Sequence, residues 1–182
     1  VRDMTKPELD EGMATLGAQF KASGEQLSVL ESLLFNRQLD MNSVPGREPI
    51  ANSYITSGFG GRADPFSGGH ANHKGIDFKA NVGDPVLAVA DGVVSYSGVR
   101  SGYGNVIEVD HGNGYVTRYA HNSRLTRKVG ELVRAGQEIA KAGSTGRSTG
   151  AHVHFEVWEN NRVVNPRKFL SQQSPLKMEI KG

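Results

Sequence analysis

The sequence predicts a mainly β fold: an antiparallel two-sheet domain, related to a β-sandwich, preceded by an amphipathic helix. Three observations predict it. Beyond residue 53 the apolar residues fall in short alternating runs at close spacing, as half-buried strands require. Asp91-Gly92, Asn113-Gly114 and Asn160-Asn161 punctuate those runs with turn chemistry. The 23 glycines in 182 residues suit a fold with many turns, bulges and close backbone approaches.

The first forty residues follow a different period. Leu9, Met13, Leu16, Phe20, Leu27, Leu30 and Leu34 recur in steps of four and three, with Ser23 filling the one gap. This is a heptad pattern on a helix. Thr5 and Glu8 have the spacing of a capping box, and Pro7 is tolerated in a first helical turn. Gly12, Gly17 and Gly24 each weaken the helix by about 1 kcal/mol relative to alanine. Residues 1–40 are therefore expected to be a helix. It either packs on the domain that follows or is the stub of a longer coiled coil, through which the chain would self-associate.

Residues 41–52 hold Pro45, Gly46 and Pro49 and read as a linker. The domain proper spans residues 53–170. Its expected strands are 53–58, 75–79, 85–97, 105–111, 115–120, 138–142, 153–159 and 162–164, with a short helix or turn at 165–170 and a polar tail at 171–182. Val82-Gly-Asp-Pro-Val86 and Val129-Gly-Glu-Leu-Val133 echo each other, a pattern also met in biotinyl and lipoyl carrier domains. A carrier presents a lysine at a hairpin tip; the turn at Asp91-Gly92 has none, which argues against that reading.

Composition narrows the function. With 37% hydrophobic and 22% charged residues the chain is of globular type. A net charge of +2 gives a nucleic-acid partner little support, and it is compatible with an anionic polymer substrate without arguing for one. The absence of cysteine excludes a disulfide framework and a thiolate zinc site. No apolar run approaches the ~20 residues that span a bilayer. The chain begins at Val1, so it reads as processed or trimmed, and a targeting segment or membrane anchor would lie ahead of that residue.

Chemistry concentrates in the histidines. His152-Val-His154 places two imidazoles two residues apart; on a strand both face one side, ~6.6 Å apart along the chain. His73-Lys-Gly-Ile-Asp77 adds an imidazole and a carboxylate. On a straight strand these two would stand ~13 Å apart, too far to share an ion, so a bend near Gly75 is expected, not a helix. His121 closes Arg118-Tyr-Ala-His121. His70, in a glycine-rich loop, and His111, where a strand enters a turn, read as surface and structural residues. Two imidazoles and a carboxylate form an open three-ligand set for zinc, with its fourth position left to water.

These motifs, with Ser57-Gly-Phe-Gly-Gly-Arg62, Ala88-Val-Ala-Asp-Gly-Val93, Gly102-Tyr-Gly-Asn105, the run from Gly143 to Glu156 and Val164-Asn-Pro166, resemble those of the lysostaphin/LytM-type zinc metallopeptidases. The likeness covers roughly residues 53–170. It implies a zinc peptidase that cuts peptides of bacterial peptidoglycan, with a LytM-like antiparallel fold and one Zn2+ per chain. By that resemblance His73, Asp77 and His154 are the zinc ligands, and His121 and His152 serve acid–base and oxyanion chemistry; which of the two is the base stays open, with His152 favoured because it stands two residues from a ligand. Arg147, Ser148 and Thr149 belong to a polar loop that reads either as a substrate-binding wall or as a turn placing the strand. Some staphylococcal relatives carry a tyrosine before the first ligand; residues 60–72 here hold Phe66 and no tyrosine. Some relatives have lost ligands and only bind or activate other wall hydrolases, which is the alternative function. The likeness favours the periplasm or envelope of a Gram-negative cell. The helix and linker precede the domain closely enough to cover its groove, with Asn42 and Asn52 able to approach the metal.

Overall fold

A computed structural model describes residues 6–64 and 66–170; Thr5 of the expected capping box and the tail 171–182 lie outside them. The chain divides between Met41 and Asn42 into a helical unit and a β unit. The helix α1 spans Lys6–Ser43, three residues beyond the expected end. Its heptad residues Leu9, Met13, Leu16, Phe20, Leu27, Leu30 and Leu34 are exposed. No described helix is long and apolar enough to cross a membrane.

The β unit contains, in order, β1 Ile55–Ser57, β2 Gly60–Ala63, β3 His70–His73, β4 Ile76–Lys79, β5 Pro85–Leu87, β6 Gly92–Arg100, β7 Gly104–Gly112, β8 Tyr115–Asn122, β9 Arg124–Leu125, β10 Leu132–Val133, β11 Glu138–Lys141, β12 His152–Glu159 and β13 Arg162–Val164, then the short helix α2 Arg167–Leu170. The main sheet is antiparallel and runs β1-β4-β12-β8-β7-β6-β10. One edge of β12 is shared: β4 pairs with residues 152–155 and β13 with 157–159. A second sheet, β5-β11-β9, and a hairpin, β2–β3, complete the unit.

Strand alternation sorts the side chains. Val153, Phe155 and Val157 of β12, with Ile76 and Phe78 of β4, are fully buried in the core. Val86, Ile139 and Ala140 from the second sheet join them, as a two-layer β fold requires. The opposite face of β12 carries His152, His154 and Glu156, so one strand supplies both core and site.

Two expectations about elements change. The single strand expected at 85–97 is two strands in different sheets. The chain leaves β5 through Ala88, which exchanges hydrogen bonds with Gln137 and Gly136, and enters β6 at Gly92. Residues 42–50 pack on the β unit rather than crossing as a free linker. The Leu87 N–H donates to Pro49 O at 2.7 Å, the Asp91 N–H to Asn42 O at 3.0 Å, and Ile50 is buried in the core. The hairpin β2–β3 carries no alternating apolar signal; its turn is held instead by Asp64, which accepts from the Phe66 N–H at 2.9 Å and the Ser67 hydroxyl at 2.8 Å.

Candidate metal centre

The register of β4 on β12 builds the centre. It sets Asp77 directly opposite His154 and Lys79 directly opposite His152. His73 ends β3 and returns over Asp77 through the bend at Lys74-Gly75, as the four-residue spacing required. The bend needs glycine: a Cβ on Gly75 would overlap the Phe155 carbonyl of β12. His73 Nε2, Asp77 Oδ1 and His154 Nδ1 then lie 2.8 to 3.1 Å from one another, all three residues buried.

Proton placement bears on what this cluster could hold. A neutral imidazole carries one N–H and one lone pair. His73 spends its N–H at Nδ1, 2.6 Å from Gly58 O, and His154 spends its N–H at Nε2, 3.0 Å from Glu156 Oε1. Two lone pairs and a carboxylate oxygen are left facing one point. That arrangement is repulsive by itself and suits a cation. A tetrahedral ion with ~2.0–2.1 Å bonds to nitrogen and oxygen needs donors about this far apart. The donor set therefore fits a metal ion. Arg62 approaches the second Asp77 oxygen at 3.5 Å and donates to Ser57 Oγ.

Two further imidazoles face the same cleft. His152 gives its Nδ1–H to Gly150 O at 2.7 Å, which leaves Nε2 bare 3.8 Å from Asp77 Oδ1. His121 gives its Nδ1–H to Thr145 O at 2.7 Å, and its ring centroid is 4.8 Å from that of His152. Strict alternation would turn His121 into the core beside Tyr119. A φ of 63° breaks the alternation at the end of β8 and brings the ring into the cleft. A non-glycine residue in that region stores strain of the order of 1 kcal/mol, which the Thr145 contact and the Tyr103 O···H–N His121 bond at 2.8 Å help to hold. Burial pushes the His121 imidazole down to about 4, so it is neutral at neutral pH with Nε2 as an acceptor.

The cleft has a volume of about 570 Å3. Arg147, Ser148 and Thr149 line one wall, so the loop before β12 is part of it. Arg147 is already engaged: it grips both Asp64 oxygens at 2.8 Å and its guanidinium lies 4.5 Å from the Phe66 ring centre. Asn42 and Asn52 are not among the described residues that line the cleft. His70 is exposed, and His111 is buried in a polar network, as their contexts implied. Glu156, which the sequence did not single out, is fully buried against His154; the unbroken period 152-154-156 on β12 was the signal for it.

Comparison with known proteins agrees with this geometry. The family model described as Peptidase family M23 matches residues 71–166, more than half of the chain. DD-carboxypeptidase/endopeptidase Mpg of Neisseria meningitidis is 45% identical over 119 residues, which are 65% of this chain and 27% of that protein. Peptidoglycan DD-endopeptidase ShyB of Vibrio cholerae is 42% identical over 125 residues, 67% of this chain and 29% of that protein. The chain thus spans less than a third of the length of these curated relatives. Among solved structures, a zinc containing peptidase from Vibrio cholerae superposes with a TM-score of 0.62 at 41% identity, covering 68% of this chain and 39% of that one. The catalytic domain of lysostaphin from Staphylococcus simulans gives 0.61 at 36% identity, covering 66% of this chain and 93% of that one.

Proposed function

The chain belongs to peptidase family M23, and from that membership we propose that it is a zinc endopeptidase that hydrolyses peptide cross-links of peptidoglycan in the cell envelope. The observation that carries the proposal is the convergence of His73 Nε2, Asp77 Oδ1 and His154 Nδ1 with every other imidazole nitrogen of the cluster already committed. These three residues would hold the zinc. When bound there, zinc makes a coordinated water acidic enough to supply hydroxide near pH 7 and polarises a carbonyl oxygen.

The remaining chemistry belongs to the chain. His152 is the proton acceptor in this reading. Its bare Nε2 is the one beside the ligand carboxylate, so it faces the point where the ion and its water would sit. His121, neutral and with Nε2 as an acceptor, orients the attacking O–H or the leaving amine. Its resting tautomer offers no proton to an oxyanion; that role would require it to gain one during turnover. Arg147, Ser148 and Thr149 form the wall along which the peptide lies.

A direct D-alanyl–diaminopimelate cross-link suits the cleft better than a neutral glycine bridge, because Arg62, Lys74, Lys79 and Arg147 outnumber Asp64, Asp77 and Glu156 along it and such peptides carry carboxylates. The relatives named as DD-endopeptidases support the same reading, and with it a Gram-negative periplasm as the site of action. A purely binding or activating module has less support, since all three ligand atoms and both free imidazoles are in place. Digestion of purified directly cross-linked and pentaglycine-linked muropeptides, with product masses read out, tests the proposal. Cleavage of the first by the zinc-loaded chain and not by a His154→Ala variant is expected; no cleavage of either substrate defeats it.

A further inference from the structure

Five side chains from four strands of the main sheet form one chain of contacts that ends on a metal-site residue. Arg100 of β6 donates to Glu108 Oε1 of β7 at 2.5 Å. Arg118 of β8 donates through Nε to the same Glu108 oxygen at 2.7 Å and through a terminal nitrogen to Glu156 Oε2 of β12 at 3.0 Å. His154 donates to Glu156 Oε1 at 3.0 Å. The sheet register produces the row, since Glu108 is opposite Arg118 and Arg118 opposite Glu156. Charges alternate along it.

Glu156 is the junction. It is fully buried, and four donors converge on it. His154 Nε2 and the Tyr103 hydroxyl, at 2.9 Å, meet Oε1; Arg118 and the Trp158 indole N–H, at 2.7 Å, meet Oε2. The Arg118 guanidinium lies 4.8 Å from the Tyr103 ring centre and 5.0 Å from that of Trp158, which fixes its plane. A buried charge needs a charged partner, and Arg118 is the cation in contact with Glu156. A carboxylate can only accept, so Glu156 holds an N–H of His154 on Nε2; with a cation neutralising Asp77 the lone pair is then left on Nδ1, the atom that faces His73 and Asp77.

We propose that Glu156 and Arg118 are positioning residues of the metal site: Arg118 anchors the Glu156 carboxylate, and Glu156 locks His154 in the tautomer that can bind the ion. The inference rests on reading His73, Asp77 and His154 as a metal site. A ladder that only stiffened the sheet would not select a tautomer, and this separates the two accounts.

The test is zinc affinity of the full chain, by competition with a chromophoric chelator, together with nitrogen-15 shifts of the His154 ring in the zinc-free protein. Glu156→Gln is close in shape but offers one acceptor oxygen to donors on two sides. With that oxygen held by Arg118 and Trp158, the amide N–H faces Nε2 and drives the proton to Nδ1. Zinc binding should weaken by about 10- to 100-fold, the usual range for a second-layer partner. Arg118→Lys keeps the charge but loses the fork that reaches both carboxylates, and should weaken zinc binding by a smaller factor. The parent protein should show His154 protonated at Nε2, a measurement that needs no variant. Where Glu156→Gln does not fold by circular dichroism, Arg118→Lys and the parent tautomer decide. A folded variant binding zinc within about twofold of the parent, or a parent His154 protonated at Nδ1 and not at Nε2, overturns the inference. A parent chain that binds no zinc overturns the metal reading, and the inference with it.

Discussion

Arg147 and Asp64, 83 residues apart in sequence, clasp each other across the cleft through two contacts of 2.8 Å. The Asp64 carboxyl is held down at about 2, first by the Phe66 N–H and the Ser67 hydroxyl and then by Arg147, so it stays a carboxylate at any working pH. A guanidinium nitrogen that already holds one carboxylate can hold another. If Arg147 exchanges Asp64 for a substrate carboxylate, Arg147→Ala should raise KM about fivefold, about 1 kcal/mol for an exposed charged contact, with kcat little changed. Asp64→Asn should lower KM for the same carboxylate-bearing peptide. Steady-state kinetics on a muropeptide dimer decides; a fall in kcat at constant KM would count against this use of Arg147.

The three converging ligand atoms predict the response to metal removal. A chelator should abolish hydrolysis, and added zinc should restore it. His154→Ala or Asp77→Asn should lower bound zinc from about one ion per chain to near zero by elemental analysis. Because the site forms only in the folded chain, zinc at about 100 times its dissociation constant should stabilise the fold by about 2.7 kcal/mol, seen as a higher Tm. An unchanged Tm across a zinc titration would contradict the site.

Much of the site was legible because it rests on periodicity. His152 and His154 share a face because strands alternate, and the gap from His73 to Asp77 demanded a bend at Gly75. His121 was legible by resemblance only. Its backbone leaves the alternating pattern at φ 63°, and no rule of spacing states which way such a residue turns. The pairing of Arg147 with Asp64 was not legible because the two lie far apart in sequence, and the hairpin that brings Asp64 to it has polar and glycine residues where a strand signal would be. The break after Leu87 was hidden because apolar residues stand on both sides of Asp91-Gly92, so that residues of two different sheets read as one strand.

The bend itself gives a stability prediction. Gly75→Ala would drive a methyl group into the Phe155 carbonyl, which is backbone and yields little. The cost should lie at the upper end of the about 1–3 kcal/mol typical of overpacking, and a displaced His73 should weaken zinc binding as well. Denaturant unfolding and zinc titration of the same variant measure both effects. A variant with parental stability and affinity would show that the β3–β4 turn adapts freely.

The last prediction concerns pH and comes from His111, away from the cleft. Its Nδ1–H donates to Asp91 O at 2.7 Å, and its Nε2 lies 2.7 Å from Thr117 Oγ1, which is 2.8 Å from the Tyr119 hydroxyl; the Val89 N–H donates to that hydroxyl at 3.0 Å. With a neutral imidazole each proton has a place: Val89 to Tyr119, Tyr119 to Thr117, Thr117 to Nε2. Burial, only partly offset by the Asp91 carbonyl, lowers the pKa of His111 from its ordinary 6.5. The unfolded chain therefore takes up a proton near 6.5, while the folded chain resists until lower pH. In that window the unfolded state binds more protons, so stability is complete above about 6.5 and falls as pH drops below it. His111→Gln keeps one donor and one acceptor but cannot titrate. Its Tm should be lower than that of the parent at pH 8, yet should decline less steeply between pH 7 and pH 5. Parallel declines in the two proteins would show that the acid sensitivity of the fold lies elsewhere.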